Sequence, residues 1–318
     1  MKEMNKYRYI LISMAAVLSV LSSCKKDEEE SSKLYLSGTL AVACEGYGNL
    51  PNYVSPGDKF TFTPSGLYVK DDESIIVDYY FVNPFTSAKD TVKAGEGYTL
   101  TVADTLATFS LSCVGFARNS KDYYTSSKFL QFAVVKSGLN IGSITGFPMI
   151  AGETSAFLNG KPYLTTKVGS SEWLRQNLAY VQTDSKGSVS FGHYYLGSAA
   201  MLDIMGAYYT WEEAQTACPA GWRLPSEADW VALCTAAGGK SAAEMQQIEG
   251  AASGLMAYTK FNGVSMWEYY RGVEVNDKTR FSCMPTGYAT VSDGVYQFFG
   301  YSEYAAYWTS AEKDGEGV

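Results

Sequence analysis

The sequence predicts two domains, an all-β sandwich followed by an α+β domain. Three observations carry that prediction. All 6 tryptophans (Trp173, Trp211, Trp222, Trp230, Trp267 and Trp308) lie in the second half, so the two halves differ in composition. The first half alternates short strand-like runs with turn residues, the pattern of a sandwich. The second half carries helix-start signals between strand-like segments. A chain of 318 residues is long enough for about two domains of ordinary size.

Residues 1–23 read as a signal peptide: Lys2, Lys6 and Arg8 precede an apolar run from Tyr9 to Leu21. That run is shorter than the roughly 20 helical residues that span a bilayer, so it is expected to be cleaved. Leu21-Ser22-Ser23-Cys24 resembles a bacterial lipobox, which would make Cys24 an acylated N-terminus and the membrane a partner through its lipid. Residues 24–33 form a tether. Its run Lys25-Lys26-Asp27-Glu28-Glu29-Glu30 is too polar to pack and resembles the acidic tag that sends lipoproteins of Bacteroidetes-type bacteria to the outer face of the outer membrane. The net charge of -8 disfavours nucleic acid as a partner.

Residues 34–137 are predicted as the sandwich, with strands over 34–43, 59–63, 75–82, 98–102, 108–116 and 129–135, separated by Gly57-Asp58, Asn83-Pro84 and Gly95-Glu96-Gly97. Cys44 and Cys113 each stand in a strand-like run. In an oxidising compartment they are expected to pair, a cross-link worth ~4 kcal/mol of loop entropy. No tryptophan lies between them, so the domain is immunoglobulin-like only in outline.

Residues 138–153, with Gly138, Gly142, Gly146 and Gly152, read as a linker, and residues 154–318 as the second domain. Asn159-Gly160 between strand-like residues predicts a hairpin. Thr210-x-x-Glu213 is a capping box opening a helix that Pro219 ends. Ser226-x-x-Asp229 opens another, stopped by Gly238-Gly239, with Trp230, Cys234 and Ala237 on one inward stripe. Ser241-x-x-Glu244 predicts a third, short helix.

The stretch "CPAGWRLPSEADW" is the corner between the first two of these helices. Cys218 reads as a staple, Trp222 and Trp230 as core, and Arg223 as a partner for Glu227 or Asp229. A catalytic thiol needs a base to lower its pKa. The only histidine is His193, in a Gly/Ser/Tyr context that predicts an exposed loop or strand. One histidine and no Cys-x-x-Cys spacing leave no expected metal site, and no cofactor is expected.

The blocks "GKPYLTTKVGSSEWLRQNLAY", "YYTWEEAQTACPAGWRLPSEADWVAL", "AASGLMA", "RFSCMPTGYA" and "YWTSAE" occur in an order that resembles the Fibrobacter succinogenes major paralogous domain, over about Thr154 to Glu312. The resemblance implies a C-type-lectin-like α+β fold with Trp173, Trp222, Trp230 and Trp308 in its core beside Cys218. It also implies further strands and a final cysteine beyond Val318, so a chain ending here would lack its last strands. Cys218, Cys234 and Cys283 are then an odd trio forming at most one disulfide.

These readings lead to a non-catalytic binding or adhesion module on the cell surface, for an unidentified glycan or protein. Candidate ligand contacts are Trp267, Tyr269, Tyr270, Tyr296, Phe298 and Tyr301, because aromatic faces stack on sugars and anchor protein partners. The Glu-Pro-Asn and Trp-Asn-Asp motifs of calcium-dependent animal lectins are absent, and a fold transfers no ligand. A second expectation is a structural subunit or tip of a fimbria-like assembly, which would donate or accept an edge strand. A third is an oxidase, because "GWRLPSEADW" is similar to a block of formylglycine-generating enzymes. Those need a late pair of reactive cysteines, and Cys283 stands alone.

Overall fold

The computed structural model describes residues 33–45, 52–105, 108–241, 248–268, 272–313 and 316–317. The predicted signal peptide and Cys24 lie outside them. The chain is β-rich throughout. Its first half comprises β1 (Leu34–Tyr35), β2 (Ser37–Cys44), β3 (Tyr53–Val54), β4 (Lys59–Tyr68), β5 (Val77–Val82), β6 (Lys89–Val92), β7 (Tyr98–Thr101), β8 (Thr108–Ala117), β9 (Tyr123–Tyr124) and β10 (Ser126–Val134). The six predicted strands all form, β4 running on to Tyr68, with four short strands added. A sheet in the order β2-β4-β7 and another in the order β3-β10-β8-β5-β6 share one apolar core, while β1 pairs with β9.

Alternation builds that core. Phe60 and Phe62 on β4, Tyr79 and Phe81 on β5, and Leu130 and Phe132 on β10 point inward at every second position, as the two-residue period of a strand requires. Phe81 stacks on Tyr98 with centroids 4.6 Å apart, and Phe62 meets Phe132 edge-on at 5.9 Å. The expected disulfide is not formed. Cys44 ends β2 opposite Phe62, Cys113 lies on β8 in the other sheet opposite Phe81, and both are free thiols. Both thiols share the core with Phe62, Phe81 and Phe132, and burial pushes them up to about 11 and about 12.

The second half comprises β11 (Ile144–Thr145), β12 (Thr154–Leu158), β13 (Lys161–Val168), β14 (Ser171–Leu174), β15 (Gln182–Thr183), β16 (Val189–Phe191), α1 (Leu202–Met205), α2 (Trp211–Ala217), α3 (Glu227–Ala236), β17 (Lys240–Ser241), β18 (Ile248–Glu249), α4 (Ala252–Leu255), β19 (Lys260–Phe261), β20 (Val264–Ser265), β21 (Tyr288–Ser292), β22 (Val295–Phe299), β23 (Glu312–Lys313) and β24 (Glu316–Gly317). The predicted hairpin joins β12 to β13: Asn159 and Gly160 take φ of 48° and 79°, the left-handed pair that a two-residue turn needs. Both capping boxes are complete, at Thr210 with Glu213 and at Ser226 with Asp229. Ser241, predicted to open a helix, instead pairs with Ile248, and residues 242–247 lie outside the described set.

The glycine-rich stretch expected as a linker is part of the second half's framework. Ile144 and Phe147 are buried there, β11 pairs with β19, and Asn140 brackets Phe147 with two hydrogen bonds of 2.8 and 2.9 Å. Its glycines make turns while the apolar residues between them fill a core. The end of the first half joins the same core: Ser198 donates to the Tyr53 carbonyl at 2.7 Å and Asn262 to the Val134 carbonyl at 3.1 Å. Among the described residues no helix is long and apolar enough to cross a membrane.

Candidate functional site

A groove of about 1200 Å³ runs between β14, the α2–α3 corner and β21. Local signals place its walls. The Thr210 capping box starts α2, so Trp211 sits at the first helical position. Its ring N–H donates to the Thr309 carbonyl at 3.2 Å. Beyond α2 the chain turns through Pro219 to Trp222 and Pro225, and the Ser226 box starts α3. Arg223 holds Asp229 through two hydrogen bonds of 2.6 and 2.8 Å, the pairing expected of it.

One wall is an aromatic stack. Trp173 lies 5.1 Å from Trp230 and 5.6 Å, edge-on, from Phe281, and Trp230 stacks on Tyr307 at 5.1 Å. Trp230 is half-buried, and its ring N–H has no hydrogen-bond partner among the described residues. On α3 the inward face centres on Leu233, which is fully buried, with Trp230 and Cys234 only partly covered. Trp308, expected in the core, is 37% exposed at the groove, tied by its ring N–H to the Tyr209 carbonyl at 2.8 Å. Cys218 and Trp222 are likewise half-buried groove residues. The corner is thus less enclosed than predicted, opening into the groove.

The predicted ligand residues separate. Tyr296 lines the groove. Phe298, near the end of β22, and Tyr301, just beyond it, pack instead against the core around Tyr195 and Met205. Trp267 lies away from the groove, its ring N–H on the Cys283 carbonyl at 3.3 Å. Tyr269 and Tyr270 lie outside the described residues. Sequence reasoning missed Tyr288, Tyr307 and Trp211 as lining residues. Trp211 carried a usable signal, since it follows directly on an N-cap.

His193 is not the exposed residue expected. Its ring stacks on Tyr296 with centroids 3.8 Å apart, its Nε2 lies 2.5 Å from the Tyr296 hydroxyl, and the Glu213 carboxylate is 3.5 Å away. Glu213 is also the capping residue that accepts from the Thr210 amide at 2.9 Å. The histidine therefore ties α2 to β22.

All five described cysteines are free thiols, so Cys218 is no disulfide staple and the trio Cys218, Cys234 and Cys283 forms no bridge. Burial raises every one of them. Cys283 reaches about 12 despite a contact of 3.2 Å with the Tyr307 hydroxyl, and Cys218 and Cys234 are also pushed up. Protonated thiols are poor nucleophiles and poor metal ligands. Among the described residues no group of three or more His, Cys, Asp or Glu side chains could hold a metal ion.

The Arg223 and Ser226 hydrogen bonds hold the Asp229 carboxyl well below the usual carboxylate range. A depressed carboxylate stabilises the fold above its unfolded value of roughly 3.9, and that contribution is lost as pH falls through and below it. Asp229→Ala is therefore expected to cost about 1 kcal/mol near neutral pH, mostly as a lost cap, because Arg223 is largely exposed and its charge screened. Urea titrations at neutral and strongly acidic pH check this, and the difference from the parent should shrink in acid.

The fold and groove together describe a β-rich protein with an aromatic cleft. Residues 166–318 match the Fibrobacter succinogenes major domain. No curated protein and no solved structure matches the chain.

Proposed function

We propose that the protein is a non-catalytic, surface-anchored binding module. Cys24 carries a lipid in the outer membrane, an immunoglobulin-like sandwich acts as spacer, and a C-type-lectin-like domain presents the groove to a carbohydrate or protein ligand. The observation that carries this reading is the size and lining of the groove: about 1200 Å³, with Trp173, Trp222, Trp230, Tyr288, Tyr296 and Trp308 among its walls. Such a volume exceeds the 300–1,000 Å³ typical of small-ligand pockets, and aromatic walls suit sugar rings or apolar side chains. The raised thiols support a binding rather than a covalent role. A structural place in a surface assembly is the second reading, favoured by the open outer edge of β14.

Trp222→Ala is expected to weaken any groove ligand by about tenfold or more while leaving the melting temperature within a few degrees, since Trp222 is half-buried. A glycan-array and peptide-library screen of the parent and the variant tests the reading. Hits that bind both equally would contradict it.

A further inference from the structure

We propose that the groove receives an extended polypeptide strand, with apolar residues at alternate positions and a net positive charge, which adds to the outer edge of β14. This rests on the reading of the groove as the binding site and names the ligand class.

The backbone carries the first part of the argument. In the order β12-β13-β14, β14 is the last strand. The Arg175 amide donates to the Leu164 carbonyl at 2.9 Å, back toward β13, in register with the Thr166–Trp173 pair. Antiparallel strands alternate the direction of their peptide groups. The amides and carbonyls of Glu172 and Leu174 therefore point away from β13, and among the described residues they have no backbone partner. Both residues line the groove. A row of unpaired peptide groups is a template for another strand. A sugar would leave it largely unused.

The side walls carry the second part. The added strand would lie against Trp173, Trp230, Tyr288 and Trp308, which present apolar faces to every second residue of an extended chain. Charge supplies the third. The groove is lined by Glu172, Glu212 and Asp229 against one basic residue, Arg223, and Arg223 is already paired with Asp229. Glu172 accepts from the Thr165 hydroxyl at 2.6 Å. The remaining negative charge favours a basic segment and disfavours a second copy of this chain, whose net charge is -8.

The test uses a synthetic peptide of about nine residues that alternates valine with lysine or threonine, a typical strand length. Binding is read by tryptophan fluorescence and by residue-resolved amide exchange. The expected result is binding with exchange slowed about 100-fold at Glu172 and Leu174. A proline-interrupted version of the peptide should not bind, because it cannot complete the ladder. Glu172→Lys should weaken the peptide about tenfold, and Glu172→Gln should weaken it less. Equal binding of the proline-interrupted peptide, or unchanged exchange at both amides, would overturn the proposal. If neither peptide binds but an oligosaccharide binds the parent and not Trp222→Ala, the strand proposal falls and the binding-module reading stands. If no probe binds, both fall.

Discussion

Replacing Arg175 with leucine is expected to destabilise the protein by about 3–5 kcal/mol, the range measured when one partner of a buried charge pair is removed. The side chain is fully buried. It donates to the Arg280 carbonyl at 2.8 Å, the Ser282 hydroxyl at 2.7 Å and the Pro148 carbonyl at 2.6 Å, pairs with Glu153, and lies 4.0 Å from Asp277. Its guanidinium also sits 4.9 Å from the Phe147 ring. Burial lowers the Arg175 pKa from its ordinary value against the pull of Glu153 and Asp277, and burial likewise raises the Asp277 carboxyl. Leucine would fill most of the volume but take the Arg175 donors from the Glu153 carboxylate and the Pro148 and Arg280 carbonyls, leaving Asp277 with its Ser282 hydrogen bonds but without the Arg175 charge. This one residue joins the stretch before β12 to the segment leading into β21, so its loss should loosen the whole second half. Urea unfolding monitored by tryptophan fluorescence, with all 6 tryptophans in that half, measures the effect. A cost below about 1 kcal/mol would mean that the network is solvated and slack.

Trp173→Ala is expected to cost a similar 3–5 kcal/mol, through lost burial and the cavity left behind. Trp173 is 8% exposed and packs edge-on against Phe281 and obliquely against Trp230. It lies on β14 opposite Thr166, so its removal also frees the strand whose outer edge borders the groove. Trp173→Phe should recover about half of the loss, since a smaller ring keeps part of the stack. The same unfolding experiment separates the two variants.

Much of the local structure was legible in the residues. Thr210 with Glu213, Ser226 with Asp229 and the Asn159-Gly160 turn are short-range devices, and each formed as its spacing predicted. The six strands of the first half followed from short strand-like runs and the turn residues between them. What failed depends on which element covers which residue. Phe298 and Tyr301 read as surface aromatics, yet both pack on Tyr195. Trp308 read as core, yet it is 37% exposed at the groove. Cys44 and Cys113 stand in strands as a disulfide would need, yet both remain free thiols in the core they share with Phe62, Phe81 and Phe132. The linker reading weighed four glycines and overlooked Ile144 and Phe147. His193 is the clearest omission: no local pattern tells that a histidine will meet a tyrosine from a strand about a hundred residues later.

The central claim is that the tryptophan-lined groove binds rather than reacts, and Cys218, which lines it, reports on that directly. Alkylation of the folded protein near neutral pH, resolved peptide by peptide by mass spectrometry, should modify Cys218 more slowly than an unstructured cysteine, because burial keeps its thiol protonated. A Cys218 that alkylates faster than free cysteine would reveal an activated nucleophile and contradict the binding-module account.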